Sequence, residues 1–194
     1  TATISESGNN PAAVVQANPT AGFSIITYTG TGAAGTIAHG LGVAPNNIIV
    51  FGRDISNTNP MVQDGIRGVS DPFTDYIAFG NVNGVYADDA TMWNDTAPTS
   101  SVFTLGNGAN TNSDGKLYVA YLFASVEGYS KFGSYSGNGN VDGAFVHLGF
   151  RPAFILVKSV NNASSWEMHD NKRDPFNDVK EYLLAESSDA AADL

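Results

Sequence analysis

The chain has 194 residues, enough for one ordinary domain or two small ones, and only 14% of them are charged, against roughly 25% in an average soluble domain. The net charge of −10 argues against a general nucleic-acid binder, because a phosphate backbone would be repelled. Nine Lys and Arg residues are too few for a coiled coil. The lack of Cys excludes disulfides and thiolate metal sites, and no apolar stretch is long enough to span a membrane.

Short apolar segments rich in β-branched and aromatic residues alternate with Gly, Asn, Ser and Pro clusters along the whole chain. This pattern predicts an all-β fold, an antiparallel β-sandwich of jelly-roll-like form. The predicted strands, in chain order, are 23–29, 48–52, 76–79, 101–105, 117–125, 131–136, 144–148, 153–160 and 181–185.

Two segments stand out within this pattern. Both faces of 117–125 are apolar, which predicts a central strand covered on both sides. Residues 179–192 are rich in Ala and follow Asp178, a possible helix cap, so they are the only candidate helix. The internal repeat described next argues for a strand at the start of this segment instead.

The most informative pattern is an internal repeat with a spacing of about 106 residues. Gly22-Phe23-Ser24 matches Gly128-Tyr129-Ser130, and Ile48-Ile49-Val50 matches Ile155-Leu156-Val157. Such a period is domain-sized, so we expect tandem copies of one β-module. The predicted divisions are an N-terminal arm (1–22), a first unit (23–127) and a second, incomplete unit (128–194).

The incomplete second unit predicts that some of its strands are supplied from elsewhere. It has no counterpart of the predicted strands 101–105 and 117–125, and an open sheet would expose unpaired backbone groups. Residues 13–17 look like the final strand of a preceding unit. We therefore expect the sequence to be a window of a longer array, with neighbouring chains completing its sheets.

The stretches 23–45, 93–106 and 118–158 resemble a repeat domain of unknown function found in virion-associated proteins of marine bacteriophages, in tail-fibre-like and other appendage contexts. The resemblance covers about residues 20–190. It implies a structural or host-adhesion role in the virion and no enzymatic activity. One departure is the segment 54–60, which stands where the family usually has a Trp-containing strand, so we expect a remodelled loop there.

Two repeated features invite a catalytic or phosphate-binding interpretation. His39 and His147 occupy equivalent positions, but no nucleophile or carboxylate recurs with them, so we expect strand-end side chains bonded to turn backbone. The Gly30-Thr31-Gly32 and Gly137-Asn138-Gly139 sequences are followed by no Lys-Ser/Thr and no helix, which favours hairpin turns over phosphate loops.

Carboxylates offer little support for a metal site. Asp88-Asp89 and the group Asp170, Asp174 and Asp178 are the only clusters worth testing for Ca²⁺, and neither has the spacing of a known calcium loop. We expect no metal, no cofactor and no catalytic residues. The paired carboxylates that a glycoside hydrolase needs are also not apparent.

Four aromatic residues are candidate contacts for a glycan or a partner: Trp93, Trp166, Tyr86 and His169. Aromatic rings with Asn and Asp neighbours are typical of sugar-binding surfaces, although single aromatic residues more often pack in the interior. The leading hypothesis is a non-enzymatic virion structural protein that pairs strands with copies of itself or with other virion proteins. The alternative is a carbohydrate-binding module that attaches to a host-surface glycan.

Overall fold

The structure, a computed structural model, describes residues 1–56, 59–65, 75–79, 86–173, 175–176 and 179–192. The described part is nearly all β and antiparallel, as predicted, and forms no closed barrel. Its strands are β1 (Ala2–Ile4), β2 (Ala13–Asn18), β3 (Phe23–Thr29), β4 (Gly35–Ala38), β5 (Asn47–Gly52), β6 (Met61–Asp64), β7 (Asp75–Ala78), β8 (Ala87–Asp88), β9 (Val102–Leu105), β10 (Leu117–Phe123), β11 (Phe154–Lys158), β12 (Trp166–Asp170) and β13 (Leu183–Leu184). Two single-turn helices, α1 (Ala90–Trp93) and α2 (Ala109–Asn112), and a 3-10 turn (Pro19–Ala21) complete it.

An eight-stranded sheet in the order β1-β2-β3-β10-β5-β6-β7-β8 forms the larger layer. β10 is central, because it pairs along its length with β3 on one edge and with β5 on the other. Its alternate residues Tyr118, Ala120 and Leu122 are fully buried. The predicted central strand is therefore confirmed, but Val119, Tyr121 and Phe123 on the opposite face are only half-buried.

The second layer is the two-stranded ribbon β4–β9, with α1 beside it. Ile37, Phe103 and Trp93 from this layer pack into one cluster with the inner face of the large sheet, including Ile26 and Tyr118. Burying an aliphatic or aromatic side chain of this size contributes about 1.5–3 kcal/mol, so this cluster is the main source of stability. The two-layer arrangement is that of a sandwich.

Two tyrosines of the large sheet bind α2 through hydrogen bonds. The rings of Tyr28 and Tyr118 stack with centroids 5.1 Å apart. Their hydroxyls donate hydrogen bonds to the carbonyl oxygens of Thr111 and Ala109. Burial raises the pKa of both phenols, so both remain protonated donors at neutral pH.

A separate three-stranded sheet, β11-β12-β13, repeats the pairing order of β5-β6-β7. Ile155 lies opposite His169 and Met168 opposite Leu183, where the earlier strands place Ile48 opposite Gln63 and Val62 opposite Ile77. The corresponding positions are 106 or 107 residues apart, which is the spacing of the sequence repeat.

Trp166 joins this smaller sheet to the larger one. Its indole N–H donates to the carbonyl oxygen of Ala78, at 3.2 Å, and its ring lies 4.8 Å from that of Phe79. It forms a small apolar cluster with Val62 and Ile77. The second sheet is thus packed against the β7 side of the large sheet.

Several expectations from the sequence are wrong in detail. The segments 131–136 and 144–148 are not strands. Residues 179–192 contain β13 and a bridge from Tyr182 to Ala192, so the strand predicted at 181–185 is confirmed and the candidate helix is not formed. The described residues of 54–60, where we expected a remodelled loop, contain no strand, and β6 begins directly after them. Residues 57–58 and Asp178 lie outside the described residues.

The Gly30–Gly32 turn is also not a hairpin. It connects β3 in the large sheet to β4 in the ribbon, so it forms a corner between layers. Gly32 has the expected positive φ of 68°. Gly30 is required for a different reason: a Cβ there would lie 2.2 Å from the carbonyl oxygen of Ser113.

Candidate interaction surface

The free edge of β11 is the most prominent unsatisfied feature of the described residues. Among them, β11 pairs with β12 on one side and with no strand on the other. Phe154, Ile155 and Leu156 are all substantially exposed. An apolar strand with one row of free N–H and C=O groups is a template for pairing with another strand.

Residues of the second unit are exposed where their first-unit counterparts form the core. Ile155 is 41% exposed, whereas Ile48 is 1% exposed. Tyr135 is 58% exposed, whereas Tyr28 is 3% exposed. Phe145 is 89% exposed, and Ile37, which aligns with it, is 1% exposed.

The cover present in the first unit explains this difference. β5 is paired with β10, and the ribbon strand β4, which carries Ile37, is paired with β9. The described part of the second unit has no counterpart of β9 or β10. We therefore define the open surface as the free edge of β11 together with the exposed apolar residues of 129–146.

A groove of about 640 Å³ lies at one end of this surface. Its lining includes Phe154, Ile155, Phe176 and Val179, with His169 and Asp170 on the polar side. Apolar walls with few polar groups suit the side chains of a polypeptide better than a highly charged ligand.

Asp170 beside the groove has a local structural partner. Arg173 Nη2 lies 2.6 Å from Asp170 Oδ2, and the backbone N–H groups of Lys172 and Arg173 donate to Oδ1. Hydrogen bonds from Arg173 lower the pKa of this carboxyl to about 2. The group is therefore ionised at neutral pH and already paired within its own turn, which does not suit a general acid.

His39 has the structural role that the sequence predicts. Its Nδ1 accepts from the N–H of Leu41, at 3.2 Å, so Nε2 carries the proton and donates to the carbonyl oxygen of Thr99, at 3.1 Å. The side chain is fully buried, and desolvation lowers its pKa although the Thr99 hydrogen bond opposes this. His147, its repeat counterpart, is exposed.

The structure does not bring the four candidate aromatic residues together as a binding face. Trp93 is fully buried in the main core, and Trp166 is buried between the two sheets. Tyr86 packs near Trp166 and its hydroxyl donates to Asp64, at 2.7 Å. His169 is half-buried on β12, with Nε2 3.8 Å from Glu167 and its ring beside that of Tyr182.

The structure describes only part of the candidate metal clusters. Asp89 caps α1 by accepting from the N–H of Thr91, while Asp88 is exposed on β8. Asp174 and Asp178 lie outside the described residues. Within the part of the chain that the structure describes, no three His, Asp or Glu side chains are grouped for a metal ion.

The sequence predicted that the second unit lacks strands, but it did not identify Phe154–Leu156 as the residues at the open edge. That assignment needs the pairing partner of β11, which only the structure shows. The aromatic row on the outer face of the large sheet was also missed. It runs from Phe23 through Tyr121 and Phe51 to Phe79, with neighbouring ring centroids 5.8 to 6.4 Å apart.

No helix of the described residues is long and apolar enough to cross a membrane. Neither the curated proteins nor the solved structures gave a match to the chain. One family profile matches residues 1–194, and its description is a domain of unknown function, DUF7483. The chain therefore belongs to the DUF7483 family.

Proposed function

We propose that the chain is a non-enzymatic bacteriophage virion structural protein, a fibre, appendage or surface module that assembles by pairing β-strands with neighbouring chains. The virion setting is supported by the resemblance of residues 23–45, 93–106 and 118–158 to phage appendage repeats. The assembly mechanism is supported by the open surface of the second unit.

The observation that carries the proposal is the contrast between repeat-equivalent residues. Side chains such as Ile48 and Tyr28 are buried by β10 and its neighbours in the first unit, while Ile155 and Tyr135 remain exposed. Each Å² of apolar surface removed from water stabilises by about 25 cal/mol, so covering several such side chains favours association.

The free edge also lacks the protection that isolated edges usually have. Natural edge strands are kept from pairing by Lys, Pro, bulges or very short length. Ala153–Val157 contains no charged residue and no Pro, and Lys158 at its end is half-buried, with its Nζ donating to the carbonyl oxygen of Ser164. An unprotected apolar edge is suited to a permanent partner strand.

Sedimentation velocity over a range of concentrations tests this proposal. We expect the unmodified chain to form oligomers, and Leu156→Lys to shift the distribution toward the monomer because a charge then lies on the free edge. Val43→Lys is the matched control, since Val43 is an exposed apolar residue outside any strand. A monomer at all concentrations, or equal effects of the two substitutions, would contradict the proposal.

Neither tryptophan offers an exposed ring on which a sugar could stack, so the carbohydrate-binding alternative gains no support from them. Trp93 and Trp166 present no open ring face, because the first is in the core and the second lies between sheets. We therefore do not carry this function forward.

A further inference from the structure

The core of the sandwich is complete without the second unit. Among the described residues, no member of the buried apolar cluster that joins its two layers lies beyond Ala124. In the described part of 125–192, Trp166 is the only buried residue. The second unit therefore adds one interior side chain to the molecule, and that side chain is in contact with the sandwich.

Trp166 packs against an apolar row on the outer face of the large sheet. Five residues on neighbouring strands lie directly opposite one another and so share this face: Ile25, Tyr121, Ile49, Val62 and Ile77. Val62 and Ile77, which form a cluster with Trp166, are each 1% exposed, whereas Ile25, further along the row, is 37% exposed. The contact with the second unit thus covers part of a face that is more open elsewhere.

Both sides of this contact depart from the repeat. In the shared register of the two sets of strands, Trp166 corresponds to Pro60, and Phe79 corresponds to Ala185. The residues just before Phe79 keep their type in both units: Asp75-Tyr76-Ile77 and Glu181-Tyr182-Leu183. The indole and its ring partner are therefore each missing from the equivalent position, which indicates a joint between two different units rather than a part of the core of each.

The backbone of Trp166 connects this joint to the pairing of the smaller sheet. Its N–H donates to Glu186 Oε2, at 3.1 Å, and its carbonyl oxygen accepts from the N–H of Ala185, at 2.9 Å. On the other side of β12, Trp166 lies directly opposite Lys158 of β11. Because Trp166 contacts both neighbours of β12, the position of its indole and the order of the three strands depend on each other.

We propose that Trp166, with Ala78 and Phe79 as its site, is a latch. When the indole leaves this site, the sheet β11-β12-β13 opens, while the sandwich stays folded around its own core. A small sheet is stable by itself only when an apolar face is packed, and regions with few buried contacts open at a lower free energy than the core. The second unit therefore has two states, one docked on the sandwich and one released.

The connection between the two parts makes the latch reversible. Residues 131–153, which lead into β11, contain no helix and no strand. A covalent linker keeps a released segment near its site, so redocking is an intramolecular step. Docking within one chain does not depend on protein concentration. The latch is therefore distinct from the proposed assembly between copies and goes beyond it.

Hydrogen exchange measured by mass spectrometry, at one fixed low protein concentration, tests the latch. We expect Trp166→Ala to speed exchange of the β12 amides by about tenfold or more, because truncating a buried Trp anchor is among the costliest changes at a contact. The amides of β10 should exchange as in the natural chain. This pattern would show that the smaller sheet opens while the sandwich stays folded.

A second variant removes the site without changing the smaller sheet. Phe79→Ala deletes the ring that lies 4.8 Å from the indole, so it should also speed exchange of β12 and leave β10 unchanged. Tyr135→Ala is the matched control, because Tyr135 is an aromatic residue of the second unit that is 58% exposed. It should change the exchange of neither strand.

Three results would overturn the inference. Faster exchange of β10 together with β12 would mean that the two sheets open as one body. Faster exchange of β12 in Trp166→Ala but not in Phe79→Ala would mean that Trp166 acts within its own sheet. Unchanged exchange of β12 in both variants would mean that other contacts hold the smaller sheet.

Discussion

His39 is a buried residue whose protonation is coupled to folding. Its two ring nitrogens are used by backbone groups of Leu41 and Thr99, and the arrangement at Nδ1 requires the neutral ring. Protonation would replace that acceptor with a second donor facing the Leu41 N–H. The residue therefore contributes to stability only in its neutral form.

The direction of the resulting pH dependence follows from the lowered pKa. The folded chain binds the His39 proton less readily than the unfolded chain, whose His titrates near 6.5. Stability from this residue is complete above the unfolded pKa and is lost as the pH falls below it. We expect the melting temperature of the natural chain to fall between about pH 7.5 and about pH 5.5.

His39→Gln should weaken this pH dependence and also lower the melting temperature at pH 7.5, because buried hydrogen bonds are lost. His147→Gln is the control at the equivalent repeat position and should leave the curve unchanged, since His147 is exposed. Differential scanning fluorimetry of the three proteins across this range measures both effects. An equal pH slope in His39→Gln and the natural chain would contradict the assignment.

The sequence predicted the role of a side chain correctly where its chemistry and its repeat position left few alternatives. The recurring His without a recurring partner indicated a structural side chain, and His39 is one. For Trp93 the sequence left open a contact residue and an interior residue and favoured the interior; α1 directs the side chain into the core. Burial of this kind depends on contacts between distant segments.

Among the structural elements, the repeat places the same residue type at equivalent positions that differ in how closely they are packed. Gly30 and Gly137 are repeat counterparts. A Cβ on Gly30 would lie 2.2 Å from the Ser113 carbonyl oxygen, whereas a Cβ on Gly137 would meet nothing within 4 Å. Gly30→Ala should therefore destabilise by about 1–3 kcal/mol through forced backbone movement.

Gly137→Ala should change the free energy of unfolding little, because this position is open. Urea denaturation of both variants measures the difference. Equal destabilisation would mean that Gly137 is also closely packed and would contradict the open second unit. A neutral Gly30→Ala would contradict the close approach of the β3–β4 corner to the segment after α2.

β3, β5 and β10 were predicted well, because their alternating apolar residues indicate both which face is buried and how long the strand is. The failures have a physical cause. Residues 131–136 and 144–148 have strand-like sequences, but a strand needs a neighbour for its backbone groups, and the described second unit supplies none. β6 was missed because its first three residues are all buried, so its burial does not alternate, and β8 has only two residues.

At the scale of the whole molecule, the chain combines a packed sandwich with a sheet that has an open side. The repeat spacing predicts this imbalance, because the described part of the second unit contains no strands equivalent to β9 and β10. It did not predict how the smaller sheet is held. That depends on Trp166 reaching Ala78, a contact between residues 88 positions apart.

In the proposed assembly, a strand from another copy covers the open surface of the second unit. Hydrogen exchange measured by mass spectrometry, at low and high protein concentration, is the decisive experiment. We expect backbone amides of β11 and of 131–136 to become protected as concentration rises, while those of β10 are protected throughout. Rapid exchange of 131–136 and unchanged protection of β11 at every concentration would refute strand-mediated assembly.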